Sequence, residues 1–341
     1  MNSEMNKPKV LKESKNKIRV EFERTSALER AKQKYLSLNF LAQVIFAIFR
    51  YALLLGVSYV ILYPFVTKIA SSFMSPEDFV DVTVKLIPKA PTLNTYKQII
   101  IENQYGTAML NTFLLSLSCG LIQTFITCLI GYGFAKYKFK GSKLLFAMVM
   151  LTMIVPHQTL KLSMFMQFRH FDFFGLLGLL GMKPIQLTNT YWPLIILSLG
   201  GLAFKNGLYI FLMRQFFRGV PDELEESAYI DGSGTFRTYM QIILPLSIPM
   251  MVTVFLFAFC WQWTDNFYVD LFFTSRSEIL LSKSTFIAIP KTLDVDYAGG
   301  TLFSAAIRNT CAILIIIPLI IVYLFGQNFL VQGIERSGIT G

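Results

Sequence analysis

Long apolar runs separated by short polar stretches dominate the chain. A helix needs roughly 20 apolar residues to cross a bilayer, and six stretches approach or exceed that length. The pattern therefore predicts an all-α integral membrane protein with six transmembrane helices. Polar residues interrupt the third and fourth stretches, which fit the pattern least well. The predicted spans are residues 43–72, 107–135, 143–168, 191–217, 242–272 and 304–330.

Composition supports the membrane assignment. Of the 341 residues, 54% are hydrophobic and 15% are charged, whereas soluble domains carry about 25% charged residues. A net charge of +10 would suggest a nucleic-acid partner for a soluble protein. In a membrane protein the positions of the basic residues matter more, so we predict a lipid bilayer and no nucleic acid as the partner.

The basic residues also predict the orientation. With six spans, residues 1–42, 136–143, 214–241 and 332–341 share one side, which carries more than twice as many Lys and Arg as the other. Cytoplasmic loops carry this excess, so both termini are predicted to be cytoplasmic. The chain then divides into a basic N-terminal tail (1–42), a transmembrane domain (43–331) and a C-terminal tail (332–341). Neither the first tail nor the short apolar segment at 173–187 has an assigned role.

The cytoplasmic loop after the fourth span reads "PDELEESAYIDGSG" and predicts a short helix over residues 221–232. Pro221 suits the first helical position, acids follow at the positive end of the helix dipole, and Gly232 can end the helix in a left-handed conformation. Leu224, Ser227 and Ala228 fall on one face. Such a short helix is marginal alone, so it packs under its own bundle or docks on a cytoplasmic partner.

The loop resembles the cytoplasmic signature of ABC importer permeases. The matching residues are Glu226, Ser227, Ala228 and Gly232, followed after nine residues by "IILP" ending at Pro245. Ser227 stands where the family has its first alanine. The segments "WQWTDNF" and "FLVQGIERSGITG" resemble the carbohydrate-uptake branch, with Thr264 and Thr340 as departures. The similarity covers residues 45–341.

The resemblance implies a bacterial cell-membrane subunit of the six-helix, maltose-permease type. Its partners would be a second homologous permease, two ATPase subunits and an extracellular sugar-binding protein. The chain has no GxxxxGK[ST] phosphate loop, so no cofactor is expected in it, and ATP and Mg would be bound by the ATPases. The 221–232 helix would be the coupling helix, with Glu226 as the acid that meets the ATPase. The coupling residues would be Leu224, Glu226, Ser227, Ala228, Asp231, Gly232 and Pro245.

Polar residues within the spans predict a translocation path, because such residues tend to face a cavity or another helix. Aromatic faces bind sugar C–H surfaces, and amides and acids bind hydroxyls, which suits "WQWTDN". An aromatic belt at the membrane interface and ordinary helix–helix hydrogen bonding are the competing interpretations. The candidates are His157, Gln158, Lys205, Asn206, Tyr209, Trp261, Gln262, Trp263, Asp265 and Asn266.

Two other functions compete with the importer. The intramembrane His157 and Lys205 would suit ion coupling in a stand-alone secondary transporter or channel for a small polar solute. A self-sufficient transporter has no need of the cytoplasmic signature, however. A membrane-embedded enzyme would need paired acids or a nucleophile with a base at one depth, and we find neither, so no catalytic or metal-binding residue is predicted.

Overall fold

The computed structural model describes residues 38–275, 279–283, 286–297 and 299–336. Most of the basic tail predicted over 1–42, and the last five residues of the C-terminal tail, lie outside these ranges. The described chain is helical, and its only β-pairing is the isolated bridge between Phe171 and Ile185. The main helices are α1 (Leu38–Ser72), α2 (Asn94–Glu102), α3 (Tyr105–Lys136), α4 (Ser142–Ile154), α5 (Lys161–Arg169), α6 (Trp192–Leu199), α7 (Asn206–Arg218), α8 (Glu223–Ile230), α9 (Ile248–Trp263), α10 (Phe267–Phe272) and α11 (Gly300–Arg336).

The chain divides into two compact units, residues 1–67 and 68–341. The described part of the first is the larger part of α1, an apolar helix that contains Pro64. The Thr67 hydroxyl donates to the carbonyl of Pro64 at 3.0 Å. This bond occupies a hydroxyl group that would otherwise have no partner in an apolar helix.

Three described helices are individually long and apolar enough to cross a membrane: Ala42–Ser72, Tyr105–Lys136 and Gly300–Leu330. They correspond to the first, second and sixth predicted spans. The structure divides each of the other three predicted spans. Two of these are bent pairs that also meet the criterion when each pair is taken as one span.

The breaks have identifiable causes. Ser142–Ile154 and His157–Arg169 meet at 93° around Pro156, which cannot donate a backbone hydrogen bond. Thr235–Leu246 and Ile248–Trp263 meet at 73°, after a π-turn over Tyr239–Ile243. The predicted span 191–217 is interrupted between α6 and α7, where Gly201 and Lys205 both have positive φ. The sequence indicated that polar residues interrupt this stretch but did not predict that the helix ends and begins again there.

Helix α3 lies at the centre of the second unit and packs most extensively against α7 and α9. The approach to α7 is close at Gly131, where an added Cβ would lie 2.5 Å from the Cβ of Met213. Small residues allow such approaches between membrane helices. The core beside it contains side chains of α3, α7 and α9 and of the π-turn, among them Cys128, Tyr132, Tyr209, Met213, Phe217, Ile243, Met250 and Val254.

The two ends of α3 contact different parts of the chain. At the Tyr105 end, the Asn103 amide donates to the carbonyl of Phe286 at 2.7 Å, and the Thr112 hydroxyl accepts from the backbone N–H of Leu281 at 2.9 Å. At the other end, Lys136 contacts the segment that joins α7 to α8. The loop between α10 and α11 and the loop that contains α8 therefore lie at opposite ends of α3.

Candidate functional site

The predicted loop helix is present as α8. It begins at Glu223 and is preceded by Asp222, whose carbonyl accepts from the N–H groups of Glu225 and Glu226. Pro221 therefore lies before the helix and not at its first position, which corrects the prediction. The cause is that Asp222 takes the capping position, leaving Pro221 outside the first turn.

Gly232 ends α8 as predicted. Its φ is +82°, and its N–H donates to Tyr229 while that of Ser233 donates to Ala228. This pair of bonds is the Schellman motif, which places a left-handed residue just after the helix. In the part of the chain that the structure describes, nothing lies within 4 Å of the position that a Gly232 side chain would take.

The buried face of α8 differs from the prediction. Ala228 and Glu225 are buried, so Ala228 packs within the chain and does not share an exposed small-residue face with Ser227. Glu225 is one of the acids that the sequence places near the positive end of the helix dipole. Its burial shows that it belongs to the contact between α8 and the rest of the second unit.

The exposed face of α8 carries acidic and apolar side chains together. Glu226 and Ser227 are exposed, as are Leu224 and Ile230, the last with 86% of its surface accessible. The Ser227 hydroxyl donates to the carbonyl of Leu224, inside the same helix. This face makes no other hydrogen bond or ion pair among the described residues, so its side chains are free to meet a partner.

Lys136 is the residue that holds α8. Its ammonium lies 2.6 Å from the carbonyl oxygen of Val220, 2.5 Å from Oδ1 of Asp222 and 3.8 Å from Oε1 of Glu225. One turn earlier on α3, the Tyr132 hydroxyl donates to Oε2 of Glu225 at 3.2 Å. The hydrogen bond from Lys136 lowers the pKa of Asp222 below its ordinary value, so this carboxylate stays charged.

The predicted coupling residues after α8 occupy different surroundings. Asp231 is the C-terminal cap residue of α8 and is exposed. Pro245 lies in the short helix Leu244–Leu246 that follows the π-turn. Pro245 and the π-turn lie where the chain passes from the loop into α9. π-turns of this kind occur often at functional sites.

Several predicted path residues come together around Lys205. Its ammonium lies 4.8 Å from the ring centre of Phe204 and 5.0 Å from that of Trp261. The His157 ring lies 4.7 Å from Phe204 and 6.0 Å from Tyr268. Residues from three predicted spans thus form one group, which we call the aromatic cluster: His157, Phe204, Lys205, Trp261 and Tyr268.

Several predicted path residues and Tyr268 carry buried polar atoms that have no hydrogen-bond partner among the described residues. Oδ1 of Asp265 accepts from the N–H of Tyr268 at 3.1 Å, but its Oδ2 is buried without a hydrogen bond. The same holds for the side-chain nitrogen of Gln262, both amide atoms of Asn206 and the hydroxyls of Tyr209 and Tyr268. Buried polar groups normally have partners, and those that do not require an explanation.

The remaining predicted path residues lie elsewhere. Trp263 is buried in the core, where its indole N–H donates to the carbonyl of Ile315 at 3.0 Å, so it is a packing residue. Gln158 and Asn266 are exposed and belong to neither group. Tyr209 is fully buried beside α3.

Sequence reasoning missed four residues that these two sites depend on. Phe204 and Tyr268 complete the aromatic cluster, and Tyr132 and Lys136 hold α8. Phe204 adjoins Lys205 in the sequence and Tyr268 lies three residues after Asp265, so proximity to predicted residues was a usable signal. Nothing in the sequence linked Lys136 to an acidic loop more than 80 residues away. Among the described residues, no group of three or more His, Cys, Asp or Glu side chains could hold a metal ion.

Comparison with known proteins identifies the family. Residues 125–336 match the family described as "Binding-protein-dependent transport system inner membrane component". The chain is 30% identical to the maltodextrin transport system permease protein MalD of Streptococcus pneumoniae, over 85% of this chain and 94% of that protein. It is 28% identical to the galactooligosaccharides transport system permease protein GanQ of Bacillus subtilis, over 86% and 95%.

A solved structure shows the same fold. It is a bacterial ABC transporter involved in the import of the acidic polysaccharide alginate, and it matches with a TM-score of 0.61 and 22% identity. The match covers 84% of this chain and 97% of that one. The family match covers well over half of the chain and includes α8, the π-turn and the aromatic cluster. The chain therefore belongs to the binding-protein-dependent transport system inner membrane components.

Proposed function

We propose that this chain is one of two membrane subunits of an ABC importer that takes up a di- or oligosaccharide. An extracellular sugar-binding protein would deliver the sugar, and two separate ATPase subunits would hydrolyse ATP with Mg. The family membership supports a transport component with protein partners. The choice of a di- or oligosaccharide rests on the names of similar proteins, which are transport system permeases for maltodextrin, galactooligosaccharides and arabinooligosaccharides.

The observation that carries the proposal is the two-sided character of α8. Its inner face is bound to α3 through Glu225, while Glu226, Leu224 and Ile230 are presented outward. Apolar side chains on a polar surface are typical of a protein contact. Phe236, which follows α8 and has 76% of its surface accessible, extends this surface. The ATPase would bind here, and Glu226 would face a basic residue of that partner.

The aromatic cluster is the proposed lining of the sugar path. Phe204 and Trp261 offer ring faces, and Lys205 and Asp265 offer polar groups beside them. Oδ2 of Asp265 and the side-chain nitrogen of Gln262, which have no hydrogen-bond partner among the described residues, would bond sugar hydroxyls during passage. A stand-alone transporter is no longer proposed, because this family consists of components of binding-protein-dependent systems.

The first experiment is purification of the tagged chain from its native host in mild detergent. A second permease and an ATPase should co-purify. Glu226→Lys should abolish recovery of the ATPase, because breaking a desolvated ion pair costs about 3–5 kcal/mol. Lys140→Glu is the control, since it reverses a charge in the loop between α3 and α4 but does not alter α8.

The amount of ATPase recovered with each variant tests docking through α8. Loss of the ATPase from Glu226→Lys alone, with the second permease retained, supports docking through α8. Full recovery of the ATPase from this variant would contradict it. Uptake of maltotriose, galactotriose or arabinotriose by vesicles that contain the purified assembly would establish the substrate class.

A further inference from the structure

The contacts of Lys136 suggest a function beyond holding α8 in place. We define the latch as four residues: Tyr132 and Lys136 on α3, and Asp222 and Glu225 at the start of α8. We propose that the latch transmits movement of α8 to α3, so that ATP hydrolysis by an ATPase docked on α8 is coupled to opening of the path. This inference rests on the proposed function, and it assigns roles to residues outside the expected docking surface.

The first argument is burial. The Lys136 side chain is 8% exposed and that of Glu225 is 10% exposed, although both lie at the end of the helix bundle. A buried ion pair contributes little net stability compared with apolar packing, whereas removing one partner is strongly destabilising. The pair is therefore better suited to fixing one arrangement of α3 and α8 than to stabilising the fold.

The second argument is that the latch joins all the elements that meet at this end. Lys136 reaches the carbonyl oxygen of Val220, directly after α7, as well as Asp222. The Tyr132 ring lies 5.5 Å from that of Phe217 on α7 and 4.8 Å from that of Tyr239 in the π-turn. A displacement of α8 therefore acts on α3, α7 and the segment leading to α9 through one pair of adjacent side chains.

The third argument is the path that leads from the latch to the aromatic cluster. Helices α3 and α7 are in close contact at Gly131, with little space for one to slide past the other. Helix α7 begins at Asn206, beside Lys205. A rigid pair of helices thus connects the latch at one end with the aromatic cluster at the other, which is the physical continuity that coupling requires.

The test separates docking from transmission. Lys136→Met keeps the length of the side chain and removes the ammonium, Lys136→Arg keeps the charge, and Lys140→Met is a matched control that removes an exposed ammonium from the loop after α3. Each variant is reconstituted with its permease, ATPase and binding-protein partners in vesicles. The measured quantity is the ratio of sugar taken up to ATP hydrolysed, with maltotriose, galactotriose and arabinotriose as probes.

We expect Lys136→Met to retain the co-purifying ATPase, unlike Glu226→Lys, and to lower the ratio by about 5-fold or more, the lower range of coupling between sites. Lys136→Arg should retain most of the wild-type ratio, and Lys140→Met should leave the ratio unchanged. An unchanged ratio in Lys136→Met would overturn the latch, and so would an equal fall in Lys140→Met.

A second variant covers failure of the first to fold. Glu225→Gln keeps the side-chain volume and an oxygen for the Tyr132 hydroxyl, and removes the charge that faces Lys136. The same fall in the ratio is expected, and an unchanged ratio would overturn the latch. If wild-type vesicles take up none of the three sugars with ATP, the proposed function itself fails. Normal wild-type uptake with fully coupled variants refutes the latch alone.

Discussion

At the scale of single residues, Lys205 combines an unusual backbone with an unusual environment. Its φ is +66°, a conformation that is unfavourable for a residue with a Cβ by roughly 1–2 kcal/mol. Its ammonium is held over two aromatic rings, and a cation over an aromatic face is attracted to it. Strained residues of this kind persist at functional sites when their surroundings hold them. The strain is thus consistent with the place of Lys205 in the proposed path.

Two neighbouring tryptophans provide a matched test of the path. Trp261 is 45% exposed beside Lys205, whereas Trp263 is 1% exposed and bonded to Ile315. Trp261→Ala should lower sugar uptake while the thermal stability of the purified chain hardly changes. Trp263→Ala should instead reduce stability by about 3–5 kcal/mol, as loss of a buried aromatic does.

The comparison is made by measuring uptake in vesicles and thermal unfolding in detergent for both variants. Normal uptake by Trp261→Ala would remove that residue from the path. Equal destabilisation by both substitutions would show that the exposure difference does not separate their roles.

Adjacent glutamates show what sequence reasoning could establish at this scale. Pro221, the acids that follow it and Gly232 were enough to predict the loop helix and its glycine stop. The sequence could not decide which glutamate faces the rest of the chain, because the rotation of a helix about its own axis depends on tertiary packing. The contacts of Lys136 with Asp222 and Glu225 fix that rotation, and these partners lie far from Lys136 in the sequence.

At the scale of elements, the close packing of α3 on α7 depends on one glycine. A Cβ at Gly131 would lie 2.5 Å from Met213 Cβ and 3.0 Å from the backbone N of Arg214, whereas nothing lies within 4 Å of a Cβ at Gly133. Gly131→Ala should therefore force the helices apart and destabilise the chain by about 1–3 kcal/mol. Gly133→Ala should leave stability unchanged or raise it by up to about 1 kcal/mol.

Thermal unfolding of the two alanine variants in the same detergent tests this difference. The substitutions are chemically identical and two residues apart on one helix, so the difference in helix propensity between glycine and alanine affects both alike. Equal midpoints would show that α3 and α7 are not as closely packed as the structure has them.

The elements also show where hydrophobic pattern stops being informative. The pattern located the uninterrupted helices α1, α3 and α11, because about 30 apolar residues leave no other interpretation. It could not distinguish a straight span from a bent one. Bends at Pro156 and at the π-turn depend on local backbone bonding, which average hydrophobicity does not register. The sequence showed polar residues between α6 and α7, but it did not show whether they would kink the helix or interrupt it.

At the scale of the whole molecule, contacts at the two ends of α3 predict the number of membrane crossings. Asn189, before α6, donates its N–H to the carbonyl of Phe272, and its side chain accepts from Ser275. The same loop, between α10 and α11, meets the Tyr105 end of α3 through Leu281. Asp222, after α7, meets the Lys136 end. The α6–α7 pair therefore runs from one end of α3 to the other.

This connection predicts six crossings, not the five that helix length and composition alone would give. Helices α6 and α7 contain 8 and 13 residues, which at about 1.5 Å per residue reach roughly 30 Å, the thickness of the hydrocarbon core. An even number of crossings places both termini on one side, and the basic residues predict that this side is the cytoplasm.

Green fluorescent protein fused to either terminus tests the count. The fusion fluoresces if that terminus is cytoplasmic, and it stays dark if the terminus is exported unfolded. Both fusions should fluoresce, and alkaline phosphatase inserted after Lys183, in the connection before α6, should be active outside. One dark terminus would mean an odd number of crossings, and Lys136 could not then share a side with both termini. That outcome would also remove α8 from reach of a cytoplasmic ATPase if the dark terminus were the N-terminus and α1 crossed as its length predicts. The orientation, the docking face and the latch are thus linked through the crossing made by α6 and α7.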